Sequence, residues 1–177
     1  MKKARFSIIS GNSIYLQERE RAFVATDLVI RPARMEDIDA MAGLLSVLFA
    51  VEEDFSADID KQRAGLEMFF KHPDGRQVIV AEHQQQVVGM CSAQLLISTA
   101  AGGWKAIVED VVVAEPFRGR GIGKKLLDAL AEWAERLGAR RMDLLADRNN
   151  SAALDFYERL RWRSTNLIAL QKSGQTD

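Results

Sequence analysis

EDVVVAEPFRGRGIGKKLL, residues 109–127, carries three glycines and four cations in the eight residues after Phe117. A β-branched apolar run leads into the segment and stops at Pro116. Beyond it Ile122, Leu126, Leu127, Leu130, Trp133, Ala134 and Leu137 recur at helical spacing, and Gly138 suits the position just past a helix end. The reading is strand, glycine-rich basic turn, amphipathic helix. Two familiar phosphate loops fail on spacing. A Walker loop needs four residues between its glycine and the Gly-Lys pair, then Ser or Thr. Here three residues separate Gly119 from Gly123, and Lys125 stands where the hydroxyl should be. The Rossmann fingerprint G-x-G-x-x-G is also missed, because Gly119, Gly121 and Gly123 read G-x-G-x-G.

Charge placement then decides between a solvated turn and an anion site. A helix N-terminus carries unpaired N–H groups and partial positive charge, so acids stabilise it and bases do not. This helix begins near Gly121 with Arg118, Arg120, Lys124 and Lys125 around its start, and its first acid is Asp128. Each cation so placed costs about 0.3–1 kcal/mol at an exposed site. A bound anion reverses the sign of every such term, and glycines let its oxygens reach the backbone N–H groups.

The rest of the chain narrows the ligand. Its 177 residues suit one domain with a single core, and 47% hydrophobic with 28% charged residues is ordinary globular composition. A net charge of −1 argues against a general nucleic-acid binder, and the basic residues are clustered in one turn instead of tracking a backbone. A lone Cys91 excludes an intrachain disulfide framework and fits a reducing compartment; with only His72 and His83 beside it, no zinc motif can be written and no metal is expected. No apolar run spans a bilayer and the basic N-terminus lacks a secretory pattern, so a cytoplasmic protein is expected.

Residues 1–26 read as an N-terminal extension, and residues 27–177 as a single domain. Leu28–Ala33 reads as a strand, Met35–Phe49 and Ile59–Lys71 as helices. Three strand-like runs follow, QVIVAEH, QVVGMCSAQLLIST and KAIVEDVVVA, joined by connectors short enough for an antiparallel meander. Then come the Gly121–Leu137 helix, a strand at Met142–Ala146, a helix at Ser151–Leu160 and a strand at Leu167–Leu170. Helices that precede and interrupt strands predict a mixed sheet in an α/β or α+β domain.

RGRGIG, the preceding EDVVVAEPF and the later NNSAALDFYERLRW resemble, in the right order, segments of the GNAT superfamily of acyl-CoA-dependent N-acyltransferases. The resemblance extends over roughly residues 28–172. It implies a mostly antiparallel central sheet flanked by helices, with strands four and five splayed around acetyl-CoA as acyl donor. It further implies that main-chain groups of Val111, Val112 and Val113 bind the pantetheine arm. The pyrophosphate would rest on Arg118, Gly119, Arg120, Gly121, Ile122 and Gly123, with Lys124 beside it. Asn150 would touch the pantetheine arm, although as the residue before a helix it also suits an N-cap. Tyr157, which a core could equally claim, would protonate or hydrogen-bond the departing thiolate. One departure is visible: relatives place Gly before the aromatic residue after this helix, whereas here Arg161 precedes Trp162.

Transfer to an amine needs a proton acceptor. On strict strand alternation Ile107, Glu109, Val111 and Val113 share one face, and Val108, Asp110 and Val112 the other. Glu109 is the candidate base, where several relatives place theirs, and Asp110 competes with it. Cys91 sits mid-strand among apolar neighbours, so direct attack in a ternary complex is expected. The acidic run VEEDFSADID lies where relatives line the acceptor site; with Glu53 and Phe55 as candidate contacts it would favour a small cationic amine. Acetylation of a protein N-terminus or lysine, and a non-catalytic acyl-CoA-binding module, are the alternatives. A homodimer follows from family habit alone.

Overall fold

The computed structural model describes residues 27–50 and 57–172. Among the described residues five strands form one sheet in the order β1-β2-β3-β4-β5. They are β1 Leu28–Pro32, β2 Arg76–His83, β3 Gln86–Ser98, β4 Gly103–Val113 and β5 Ala139–Leu144. The helices are α1 Ile38–Phe49, α2 Ile59–Lys71, α3 Ile122–Arg136 and α4 Ser151–Arg159, with 3₁₀ turns at Met35–Asp37 and Glu115–Phe117. β1 to β4 run antiparallel, and β5 joins β4 in parallel after the α3 crossover. The expected mixed, mostly antiparallel sheet flanked by helices is what forms.

Each face of the sheet is sealed by its own apolar layer. On one side Leu126, Leu130 and Trp133 of α3 pack on Ile79, Cys91, Ala93 and Val108. On the other, Met41 and Leu45 of α1 and Leu66 of α2 pack on Val78, Val80, Met90 and Val112. Alternation along β2 and β3 supplies both layers, so the interior strands are apolar on both faces. An ion-pair fork ties β1, β2 and the start of α1 together. Arg31 donates to Asp37 Oδ2 at 2.7 Å and Oδ1 at 2.9 Å, and its Nε donates to Glu82 at 2.8 Å. The Arg31 hydrogen bonds hold the Asp37 carboxyl below its ordinary value, against the opposing effect of burial.

Two departures from regularity position the site. The first is a divergence: β4 and β5 pair from Trp104↔Ala139 to Val108↔Leu144, yet β4 continues to Val113. Residues 109–113 therefore lack a β5 partner. The second is a bulge. Ser92 is paired with Glu109 and Met90 with Val112, so Asp110 and Val111 together oppose Cys91. Strict alternation fails there as a consequence: Val111 and Val113 pack with Val108 on the α3 side, and Val112 joins the α1–α2 side.

The expected strand at Leu167–Leu170 does not form. A strand exists only where a neighbour completes its backbone bonds. Here β5 ends the sheet, and Leu167 and Leu170 are 86% and 87% exposed.

Candidate active site at the β4–α3 turn

The turn between β4 and α3 is shaped by backbone that only glycine adopts without strain. Gly119 and Gly121 have φ of 73° and 77°. A Cβ placed on either would meet no protein atom within 4 Å, so open space lies beside both. Gly121 caps α3 without any side-chain hydrogen bond, and the first turn of the helix contains no acid. No side chain of Gly119 or Gly121 thus stands beside the N-terminal end of α3. Gly123 has a different reason to be glycine: an added Cβ would lie 3.0 Å from Cζ of Phe156. That contact seats α4 against the turn.

The cations are distributed around this approach. Arg118 Nε donates to the Val113 carbonyl at 3.0 Å, stitching the strand end to the turn. The Arg120 guanidinium lies 5.6 Å from the Phe117 ring centroid. Lys124 pairs with Asp128 one turn along α3 at 2.5 Å, which offsets part of the local positive charge. Ile122 is buried and anchors the helix start in the core.

α4 closes the other side. Asn150 Oδ1 accepts from the Ala153 N–H at 3.0 Å, so Asn150 serves as the N-cap. The Tyr157 ring sits 5.2 Å from Phe156 and 6.1 Å, edge-on, from Trp162. Arg161 resolves the departure noted in the sequence. It adopts the left-handed conformation itself, with φ of 66°. Its N–H bonds to the Glu158 carbonyl and the Trp162 N–H to the Tyr157 carbonyl, the paired bonds of a Schellman termination. The chain path expected of a glycine is kept.

At the bulge the two acids part ways. Glu109 is exposed, whereas Asp110 is largely buried and has φ of 56°. Burial raises the Asp110 carboxyl above its ordinary value against the opposing Ser92 hydrogen bond, and the neighbouring Glu109 charge adds to the rise. Ser92, fully buried, donates to Asp110 Oδ2 at 3.0 Å. Sequence reasoning passed over Ser92. The available signal was a small polar residue inside the apolar run VVGMCSAQLL, in the strand that pairs with the acidic pair. Cys91 is inaccessible, and burial pushes its thiol up to about 12, which removes it as an acyl carrier near neutral pH. Glu53 and Phe55 lie outside the described residues. Among the described residues no cluster of three or more His, Cys, Asp or Glu could hold a metal ion, and no helix is long and apolar enough to cross a membrane.

The end of β4 without a β5 partner, the glycine turn and the uncapped helix start follow one another along residues 109–123. Comparisons with known proteins agree with the geometry. Residues 42–161 match the family model described as the acetyltransferase (GNAT) family. An aminoalkylphosphonate N-acetyltransferase of Salmonella typhimurium is 30% identical over 146 residues, which cover 82% of this chain and 90% of that protein. An uncharacterised N-acetyltransferase of Methanocaldococcus jannaschii is 27% identical over 143 residues, covering 78% of this chain but 62% of its own length. Among solved structures, an aminoglycoside N-acetyltransferase in complex with CoA superposes with a TM-score of 0.70 at 19% identity, covering 82% of this chain and 94% of that one. With the fold, the motif order and a family match over more than half its length in agreement, the chain belongs to the GNAT family of acetyltransferases.

Proposed function

We propose that residues 27–177 act as one domain that transfers the acetyl group of acetyl-CoA to a primary amine by direct attack in a ternary complex. The observation that carries this reading is the α3 start: an uncapped helix end behind two left-handed glycines with open space beside them, next to a β4 segment without a β5 partner. Arg118, Gly119, Arg120, Gly121, Ile122, Gly123 and Lys124 would hold the pyrophosphate, and the backbone of Val111, Val112 and Val113 the pantetheine arm. Asn150 would touch the same arm through the part of its amide not used as a cap. The bound thioester supplies an acyl carbon open to nucleophilic attack.

Glu109, exposed at the first β4 position beyond the β5 pairing, takes the proton that the amine loses as its C–N bond forms. Tyr157 supplies a proton or hydrogen bond to the sulfur as the C–S bond breaks. For the acceptor we propose a small cationic amine, held by the acidic segment that includes Glu53 and by Phe55. The Salmonella relative is named for an aminoalkylphosphonate, an amine of low mass, which supports a small acceptor over a peptide.

Release of free thiol from acetyl-CoA across a panel of polyamines, aminoglycosides, amino acids and peptides tests the proposal. Turnover with small amines is expected, with Tyr157→Phe lowering kcat about 10²-fold at unchanged KM for acetyl-CoA. Turnover on peptide pools alone would shift the function to protein acetylation. Acetyl-CoA binding without turnover on any amine, indifferent to Tyr157→Phe, would make the protein a binding module.

A further inference from the structure

The β4 bulge separates the two working parts of the proposed site. Glu109 lies on one side of it and the Val111–Val113 backbone on the other. Its pivot is Asp110, a residue with a Cβ held at φ of 56°, where glycine would be the relaxed choice. Such a backbone persists only when its surroundings hold it there. The holding group is Ser92 across the ladder, 0% exposed, whose hydroxyl lies 3.0 Å from Asp110 Oδ2 and 3.3 Å from the Glu109 carbonyl oxygen. One hydroxyl thus reaches both residues on which the bulge turns.

We propose that Ser92 and Asp110 are positioning residues for acetyl transfer: their hydrogen bond locks the bulge that sets Glu109 at the acceptor side and the Val111–Val113 backbone toward the acyl donor. This inference rests on the acetyl-transfer reading for its purpose, although the lock itself does not.

Proton counting defines the lock. Ser92 has one hydroxyl proton and two neighbouring acceptors. The hydroxyl donates to Asp110 Oδ2 at 3.0 Å, and the Glu109 carbonyl oxygen is its longer contact at 3.3 Å. Burial raises the Asp110 carboxyl, the Ser92 hydrogen bond opposes that rise and the adjacent Glu109 charge adds to it; the other titratable group against it is Cys91, itself held protonated by burial. The lock therefore uses the Asp110 carboxyl as the acceptor of the Ser92 hydrogen bond.

Three variants of the full chain test this. Asp110→Gly keeps the backbone, because glycine accepts φ of 56° without strain, but removes the anchor. Amide hydrogen exchange at residues 109–112 should quicken at least tenfold and kcat should fall at least tenfold. Ser92→Ala should do the same. Asp110→Asn keeps an acceptor oxygen on a side chain of the same shape and should hold exchange and kcat within threefold of the parent. A merely structural role would make the relaxed glycine backbone as good as the parent. Parent-like exchange in Asp110→Gly overturns the lock, and so does an Asp110→Asn variant that behaves like Asp110→Gly. Exchange needs no acceptor, so a parent protein inactive on every amine would refute the transfer reading and leave the lock to be decided on exchange.

Discussion

Gly121 and Gly138 form a matched pair that separates a cofactor cradle from a mere turn. Their φ values are 77° and 81°, both are exposed, and a Cβ added to either meets no protein atom within 4 Å. One caps the start of α3 and the other follows its end. Alanine at either position pays the left-handed penalty of about 1–2 kcal/mol. Its reduced freedom in the unfolded chain returns about 0.4–1 kcal/mol. The net loss is roughly 0.5–1 kcal/mol, or about 1–4 °C in Tm for a domain of this size. Thermal unfolding without ligand should give the same modest loss for Gly121→Ala and Gly138→Ala. Calorimetric titration with acetyl-CoA should then split them. If the turn is the proposed cradle, the new methyl at Gly121 enters space that the phosphate oxygens need, and affinity should fall at least tenfold, about 1.4 kcal/mol. At Gly138 affinity should stay within twofold. Parent-like affinity in Gly121→Ala would refute the cradle, and equal weakening in both variants would reduce the effect to stability.

Two further perturbations reach other parts of the argument. Arg31 holds Asp37 below the ordinary carboxylate range, so Asp37 contributes stability that is full above its unfolded pKa and is lost as pH falls through its lower folded value. Asp37→Asn should cost about 2 kcal/mol at pH 7 and flatten that acid limb in urea titrations; an unchanged acid limb would remove Asp37 as its source. Cys91, with its thiol pushed up to about 12, should resist iodoacetamide at pH 8 in the native protein and react once unfolded. Intact mass after incubation with acetyl-CoA should show no acetyl adduct, and an adduct at Cys91 would replace direct attack with a two-step route.

Much of the fold was legible because it follows from periodicity. The apolar spacing of Ile122, Leu126, Leu130 and Trp133 is a helical stripe, and those side chains are the ones buried against the sheet. The glycine turn was legible because charge and glycine spacing point the same way. The bulge was not legible. Bulges commonly announce themselves by a glycine, and here Asp110 occupies the left-handed position. Strand parity read through residue 110 consequently assigned Val111 and Val113 to the wrong side. Arg161 hid a Schellman termination for the same reason. The missing strand at Leu167–Leu170 reflects a different limit: a short apolar run is compatible with a strand, but only a neighbouring edge makes one.

The residues with positive φ bear on function when sorted by what lies beside them. Gln84 and Gln85, at φ of 48° and 64°, are imposed by the two-residue connection between β2 and β3, whose twist requires left-handed centres. Gly119 and Gly121 stand where a side chain would fill space left open beside a helix end. Asp110 stands where glycine would relax the backbone but would leave Ser92 without the carboxyl it bonds. Within twelve residues the chain thus withholds side chains at two left-handed positions and keeps one, at some cost, at a third. Folding alone would be served by glycine at all three. The exception at Asp110 therefore has to be explained by what its carboxyl does, and the group it reaches is the hydroxyl that spans the bulge between Glu109 and the Val111–Val113 backbone.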